Sequence, residues 1–213
     1  MKYLTTYIMQ PEEEGLSLLL QQYSCRGIPV CIACLCTCER GNKEAGRKVT
    51  GQLLDWCRYF PWHKAVRRPE KWMARAEEEL GEKTEKCLKQ IRYAGEHRWS
   101  GEVKWKIILC IGEEILILGN GQAVYLLSMS LGRGSVRRLS GGFRGISEPG
   151  AGILLTTEGA VCPAEEKELG EVLRLSELEK EGQADRHLRE FAKESAEKIR
   201  AAIMLLAKED DYE

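Results

Sequence analysis

Histidine is scarce in this chain of 213 residues, which has three, and neither sign of charge dominates, with 32 Lys and Arg against 33 Asp and Glu. That balance excludes a protein held to nucleic acid by bulk electrostatics, because such binders carry a basic excess that displaces counterions. Long apolar runs are also missing, and nothing approaches the ~18–20 residues that a membrane-spanning helix requires. The segment Met1 to Gln10 has one lysine, no apolar signal core and no small-residue cleavage site before Glu12-Glu13-Glu14, so it does not read as a secretion signal. The expected setting is cytoplasmic, with neither nucleic acid nor membrane as partner. A content of 43% apolar and 31% charged residues is that of a globular chain with a core. The expectation is one domain over 1–213, with a short frayed acidic tail from about 208.

Several catalytic signatures are absent. No Gly-Lys-Ser/Thr completes a phosphate loop in the glycine-rich stretch 130–152, and Gly132-Arg133-Gly134 lacks the third glycine of a dinucleotide fingerprint. His63, His97 and His187 stand apart, with no His-Glu-x-x-His arrangement among them, so each reads as a surface or boundary residue.

Cysteine is the exception to this scarcity. There are nine, and Cys31, Cys34, Cys36 and Cys38 fall within eight residues. An odd number without a secretion signal argues against a disulfide framework. Cys31-x-x-Cys34 has the spacing of a redox motif, and four thiols suffice for zinc. In a strand, however, Cys34, Cys36 and Cys38 share one face and Cys31 takes the other. Reduced thiols packed as small hydrophobes are the preferred reading, with a zinc or redox protein as an alternative.

The pattern of elements is α+β. Residues 2–9 and 28–38 read as strands and 16–23 as strand or helix. Glu44 to Tyr59 reads as a helix ended by Pro61, and Glu70 to Tyr93 as a second, with Gly81 a possible break. Val103 to Ile111, Ile115 to Leu118 and Ala123 to Leu127 read as an antiparallel meander, with Gly119-Asn120-Gly121 as a hairpin turn. Val136 to Leu139 and Gly152 to Thr157 read as further strands. Helices are expected from about Ala164 to Glu181 and from Gln183 onward, where Leu188, Phe191, Ser195, Ile199, Ala202 and Leu206 would keep one helical face.

Four segments, in order, resemble the metal-dependent Ser/Thr phosphatases of the PPM type, the protein phosphatase 2C family. Val30 to Cys38 runs into Cys38-Glu39-Arg40-Gly41-Asn42 where the family has Asp-Gly-x-Gly-Gly, and Ala45-Gly46 opens the next helix. Gly119-Asn120-Gly121-Gln122-Ala123-Val124-Tyr125 stands for Gly-Asp-Ser-Arg-x-Tyr, and Leu154-Leu155-Thr156-Thr157-Glu158-Gly159 for Leu-Leu-x-x-Ser-Asp-Gly. Ala184 to Ile199 leads into the apolar Ile203-Met204-Leu205-Leu206. The resemblance covers roughly residues 2–207 and implies a β-sandwich of two antiparallel sheets flanked by helices on both sides.

The resemblance also implies a dinuclear Mg²⁺ or Mn²⁺ site held by aspartates, and at this the chain departs from the family. Two hard cations need several carboxylates close together. The family's metal-binding positions correspond here to Cys38 with Glu39 adjoining, Asn120, Glu158 and, at the terminal Asp-Asn pair, approximately Arg200. One carboxylate in four does not hold two divalent ions, so Glu158 is at most a weak metal candidate, and no catalytic residue and no cofactor are expected. The implied function is that of a pseudophosphatase, a binding or regulatory module for a protein partner, with a phosphorylated protein held by Arg200 and backbone N–H groups. The alternative is a divergent active phosphatase using Mn or Mg, its metal site rebuilt from Glu158, Glu39 and either Asp185 or Glu113-Glu114.

Overall fold

The structure is a computed structural model that describes residues 2–9, 15–38, 43–93, 103–130, 133–139, 142–157, 183–194 and 199–208. In chain order its elements are β1 (Lys2–Met9), β2 (Leu16–Cys25), β3 (Ile28–Cys38), α1 (Lys43–Tyr59), α2 (Trp62–Ala65), α3 (Pro69–Tyr93), β4 (Val103–Ile111), β5 (Glu114–Asn120), β6 (Ala123–Ser130), β7 (Arg133–Leu139), β8 (Phe143–Ile146), β9 (Ala151–Thr156), α4 (Gln183–Glu194) and β10 (Ala201–Lys208). The strands form two five-stranded sheets, ordered β2-β3-β4-β5-β8 and β1-β10-β9-β6-β7. Each sheet with its own helices is a compact unit.

The first unit is built on two tight hairpins. Arg26 and Gly27 both have positive φ, at 57° and 79°, and close β2 on β3 with Cys25 opposite Ile28. That is the pattern of a type I′ turn, whose twist matches the flanking strands. The Gly112-Glu113 turn closes β4 on β5, and Gly112 alone carries positive φ (59°), as the first position of a II′ turn does. The segment 16–25, ambiguous between strand and helix in the sequence, is a strand because its ten residues pair in unbroken register with β3.

One face of this sheet packs on helices. Val30, Ile32 and Cys34 of β3 and Ile107, Leu109 and Ile111 of β4 meet Leu53, Trp56 and Phe60, together with Met73, Ala76 and Leu80 of α3. Burying each of the large side chains contributes roughly 1.5–3 kcal/mol. α1 ends where Pro61 follows Phe60, and the indole of Trp62 then donates to the Cys57 carbonyl at 2.7 Å. α3 continues through Gly81 without a break, because Ala76, Leu80, Thr84 and Cys87 hold one buried stripe across it.

In the second unit β10 is an inner strand, paired antiparallel with β1 on one side and β9 on the other. Ala201 through Ala207 are all buried. α4 lays Ala184, Leu188 and Phe191 against Tyr125, Leu154, Ala202 and Met204. The helix-continuing reading of Ala202 and Leu206 is therefore wrong. A run that is apolar at every position satisfies helical spacing trivially, and burial on both faces of a sheet is what such a run fits. The apolar strand at Ile203 to Leu206 implied by the family resemblance is present.

Two further expectations are corrected. Gly119-Asn120-Gly121 is not a hairpin turn, because β5 and β6 belong to different sheets and β6 pairs with β7 and β9. Asn120 is instead the last residue of β5, opposite Trp105, and the positive φ values lie on Gly119 (103°) and Gly121 (77°). β8, inside the glycine-rich stretch, returns to the edge of the first sheet beside β5. The helix expected over 164–181 lies outside the described residues.

Candidate functional site

Register in the first unit decides where each candidate side chain goes. Even-numbered residues of β3 and odd-numbered residues of β4 share the face turned to α1 and α3. Cys38 is on that face, packed with Cys36, Ala45, Val49, Cys87 and Val103. Its own N–H donates to the Gly15 carbonyl at 2.8 Å. The Cys36 thiol hydrogen-bonds to its sulfur and draws the Cys38 thiol below its ordinary range, against burial, with the Gly46 amide adding to the effect. Cys36 is pushed up in turn, first as donor in that bond and then by burial. Cys38 is thus committed to the packing of α1 on the sheet.

Asn120 is exposed at the end of β5. Cys36, Trp105 and Asn120 form one transverse row of the sheet, so Cys38 and Asn120 reach the same sheet end. Two strand spacings and two residues separate them, roughly 12 Å between Cα atoms. Arg200 belongs to the second unit. It is exposed, immediately precedes β10, and its backbone N–H donates to Thr157 Oγ1 at 3.0 Å. Glu39 and Glu158 lie outside the described residues.

The carboxylates offered for a rebuilt metal site are elsewhere or engaged. Asp185 accepts from Arg189 Nε at 2.7 Å and from the Thr6 hydroxyl at 2.9 Å, and the arginine holds it below the usual carboxylate range. Glu113 and Glu114 lie at the opposite end of β5 from Asn120, roughly 20 Å away along the strand.

A residue that the sequence reading did not single out is Lys106. It is 4% exposed, and its Nζ donates to the Gly119 carbonyl at 2.8 Å. Val103-Lys104-Trp105-Lys106 places lysines at every second position of a strand that is otherwise apolar, and both faces of that strand are buried.

Comparison with solved structures follows this geometry. The catalytic domain of the serine/threonine protein phosphatase PstP, in complex with two manganese ions, superposes with a TM-score of 0.66 at 10% identity, covering 97% of this chain and 98% of that one. The S. agalactiae serine/threonine phosphatase gives 0.62 at 10% identity, over 97% and 100%. A structure described under the bacterial stressosome, a modular system adapted to control secondary messenger signaling, gives 0.57 at 11% identity, over 95% and 97%. The fold is that of the PPM-type Ser/Thr phosphatases. No family model and no curated protein matches the sequence.

The PPM-type fold implies a pair of divalent cations, and the described residues do not fit them. Of the corresponding positions, Cys38 is a thiol turned toward α1, Asn120 is a neutral amide and Arg200 is a cation. Among the described residues no three His, Cys, Asp or Glu side chains are grouped to share an ion. The charge that the sheet buries near Asn120 is the ammonium of Lys106. Among the described residues, no helix is long and apolar enough to cross a membrane.

Proposed function

We propose that this chain is a pseudophosphatase, a PPM-type domain that binds a phosphorylated protein partner in the cytoplasm and regulates it without hydrolysing it. The observation that carries this reading is the charge at the positions that should bind metal. Where two hard cations need several oxygen anions, the chain supplies a thiol engaged with α1, an amide and a guanidinium, with Glu158 the one carboxylate among the four corresponding positions. The fold match extends over 97% of the chain against a phosphatase catalytic domain, which supports the reading of a kept scaffold with altered metal positions. The likeness to a stressosome structure supports a regulatory setting, because that system is described as modular and as controlling messenger signaling.

The second reading, a divergent Mn- or Mg-dependent phosphatase, rests on the manganese-bound fold neighbour. One assay separates the two. Purified protein is given a generic phosphomonoester with Mn²⁺, with chelator and Glu158→Gln as controls, and a phosphoserine peptide is titrated in parallel. The expected result is no chelator-sensitive turnover together with saturable peptide binding. Turnover abolished both by chelator and by Glu158→Gln overturns the proposal.

A further inference from the structure

Lys106 is the one Lys, Arg, Asp or Glu among the described residues whose side chain is buried. It occupies the face of β4 opposite α1 and α3, with Leu35 of β3 on one side and Gly119 of β5 on the other. An ammonium has three N–H donors. One is taken by the Gly119 carbonyl at 2.8 Å, and no carboxylate among the described residues pairs with the charge. A buried cation satisfied by one neutral carbonyl is costly unless an anion completes it. Burial pulls its pKa down from the lysine value, and no neighbouring charge raises it.

The surroundings hold this group in place. Gly119 sits at φ +103°, where a Cβ would lie 2.3 Å from the Trp105 carbonyl, so only glycine fits and its own carbonyl is fixed against the lysine. The pair Trp105–Asn120 closes the β4–β5 ladder. Lys106 is therefore one step in from the sheet end, on the face opposite Trp105 and Asn120. An ammonium oriented by a fixed carbonyl, with N–H donors to spare and no carboxylate beside it among the described residues, has the makings of a charge-assisted anion site.

We propose that Lys106 is the cation of a phosphoryl-binding site at the end of β5, oriented by the Gly119 carbonyl and completed by the oxyanion of a phosphoserine or phosphothreonine side chain. The proposal rests on the pseudophosphatase reading and deepens it. The chain binds the phosphoryl group with a built-in monovalent cation in place of divalent ions, which leaves no metal-bound water to attack phosphorus.

The test uses the full chain, wild type and Lys106→Met, an apolar residue of similar length. Inorganic phosphate and a phosphoserine peptide are titrated by calorimetry, and melting is followed with and without phosphate. Wild type is expected to bind both, and Lys106→Met to lose about ten- to hundredfold in affinity, the share of one charge-assisted hydrogen bond. Without phosphate the variant is expected to melt at or above the wild-type temperature, which shows that it folds. Lys106→Arg is expected to recover part of the affinity. If Lys106→Met binds phosphate as wild type does, the assignment of Lys106 falls and the pseudophosphatase reading stands. If wild type binds neither probe at millimolar concentration, both fall.

Discussion

Thr157 is joined twice to the chain entering β10: its N–H donates to the Ala201 carbonyl at 3.1 Å, and its hydroxyl accepts the Arg200 N–H at 3.0 Å. The two bonds tie the end of β9 to the start of β10 and fix the backbone that carries Arg200. Thr157 is buried, so Thr157→Val keeps the shape and leaves the Arg200 N–H without its acceptor. The expected cost is about 0.5–1.5 kcal/mol, the net worth of an ordinary hydrogen bond at a partly exposed donor. Equilibrium urea unfolding of the variant checks it. An unchanged midpoint would mean that water replaces the hydroxyl without loss.

Two glycines make opposite predictions. Gly119 combines φ +103° with a Cβ position 2.3 Å from a backbone oxygen, so Gly119→Ala is expected to cost about 3 kcal/mol or more through strain and a backbone clash. Gly81 lies inside α3, and a Cβ there meets nothing within 4 Å. Gly81→Ala is expected to stabilise by about 0.5–1 kcal/mol, because glycine is the poorer helix former. Thermal melts of the two variants should move in opposite directions, and a loss for Gly81→Ala would mean that α3 needs flexibility at that point.

Those two glycines also show what the sequence could carry. The long strands 28–38 and 103–111 were legible because β-branched and apolar residues fill them, and α1 because Val49, Leu53, Trp56 and Phe60 repeat at helical spacing. Gly119-Asn120-Gly121 was misread because glycine permits a hairpin and a sheet-to-sheet crossing equally, and only long-range pairing separates the two. The C-terminal strand failed the periodicity test for the same reason, since Ala201 to Ala207 is apolar at every step and reads the same in either period. The family motifs placed Cys38 by order along the chain. Which face its thiol takes depends on the β3–β4 register, and that register turns it to α1. Lys106 was hidden because a lysine in a strand ordinarily points to solvent, and its burial is a property of the assembled sheet.

Acid should weaken the contact between α1 and α3 through Glu79. Its carboxylate accepts from the Trp56 indole at 2.9 Å and from Arg75 Nε at 2.6 Å. Burial pushes the group up, but the arginine and indole hydrogen bonds outweigh it and hold Glu79 below its ordinary value. A carboxylate lowered by folding stabilises fully above its unfolded pKa, about 4.3, and the contribution fades as pH falls through the lower folded value. Glu79→Gln is therefore expected to melt below wild type at pH 7 and to converge with it as pH falls below about 4. Melting curves across that range check the sign, and a difference that persists at low pH would mean the variant is harmed by packing alone.

The last prediction concerns the thiols and bears on the zinc or redox alternative. Burial pushes Cys31, Cys34 and Cys57 up to about 12, so at neutral pH almost none of each is the reactive thiolate. Cys38 is lowered by its Cys36 partner but is itself buried against α1, so reagent access is closed where the acidity is favourable. Cys25 is the described cysteine with a half-exposed side chain. A thiol titration of the native protein with an aromatic disulfide reagent at neutral pH is expected to consume few thiols quickly, and all nine after unfolding in denaturant. Rapid native reaction at Cys31 and Cys34, mapped by mass spectrometry, would show that the Cys31-x-x-Cys34 spacing serves redox chemistry. A titre short of nine in denaturant, restored by reductant, would show a disulfide that the packing does not require. Slow native reaction with a full unfolded titre assigns Cys34, Cys38 and Cys57 to the hydrophobic layer between the sheet and its helices and Cys31 to the other buried face of β3, each thiol filling the volume of a small apolar side chain.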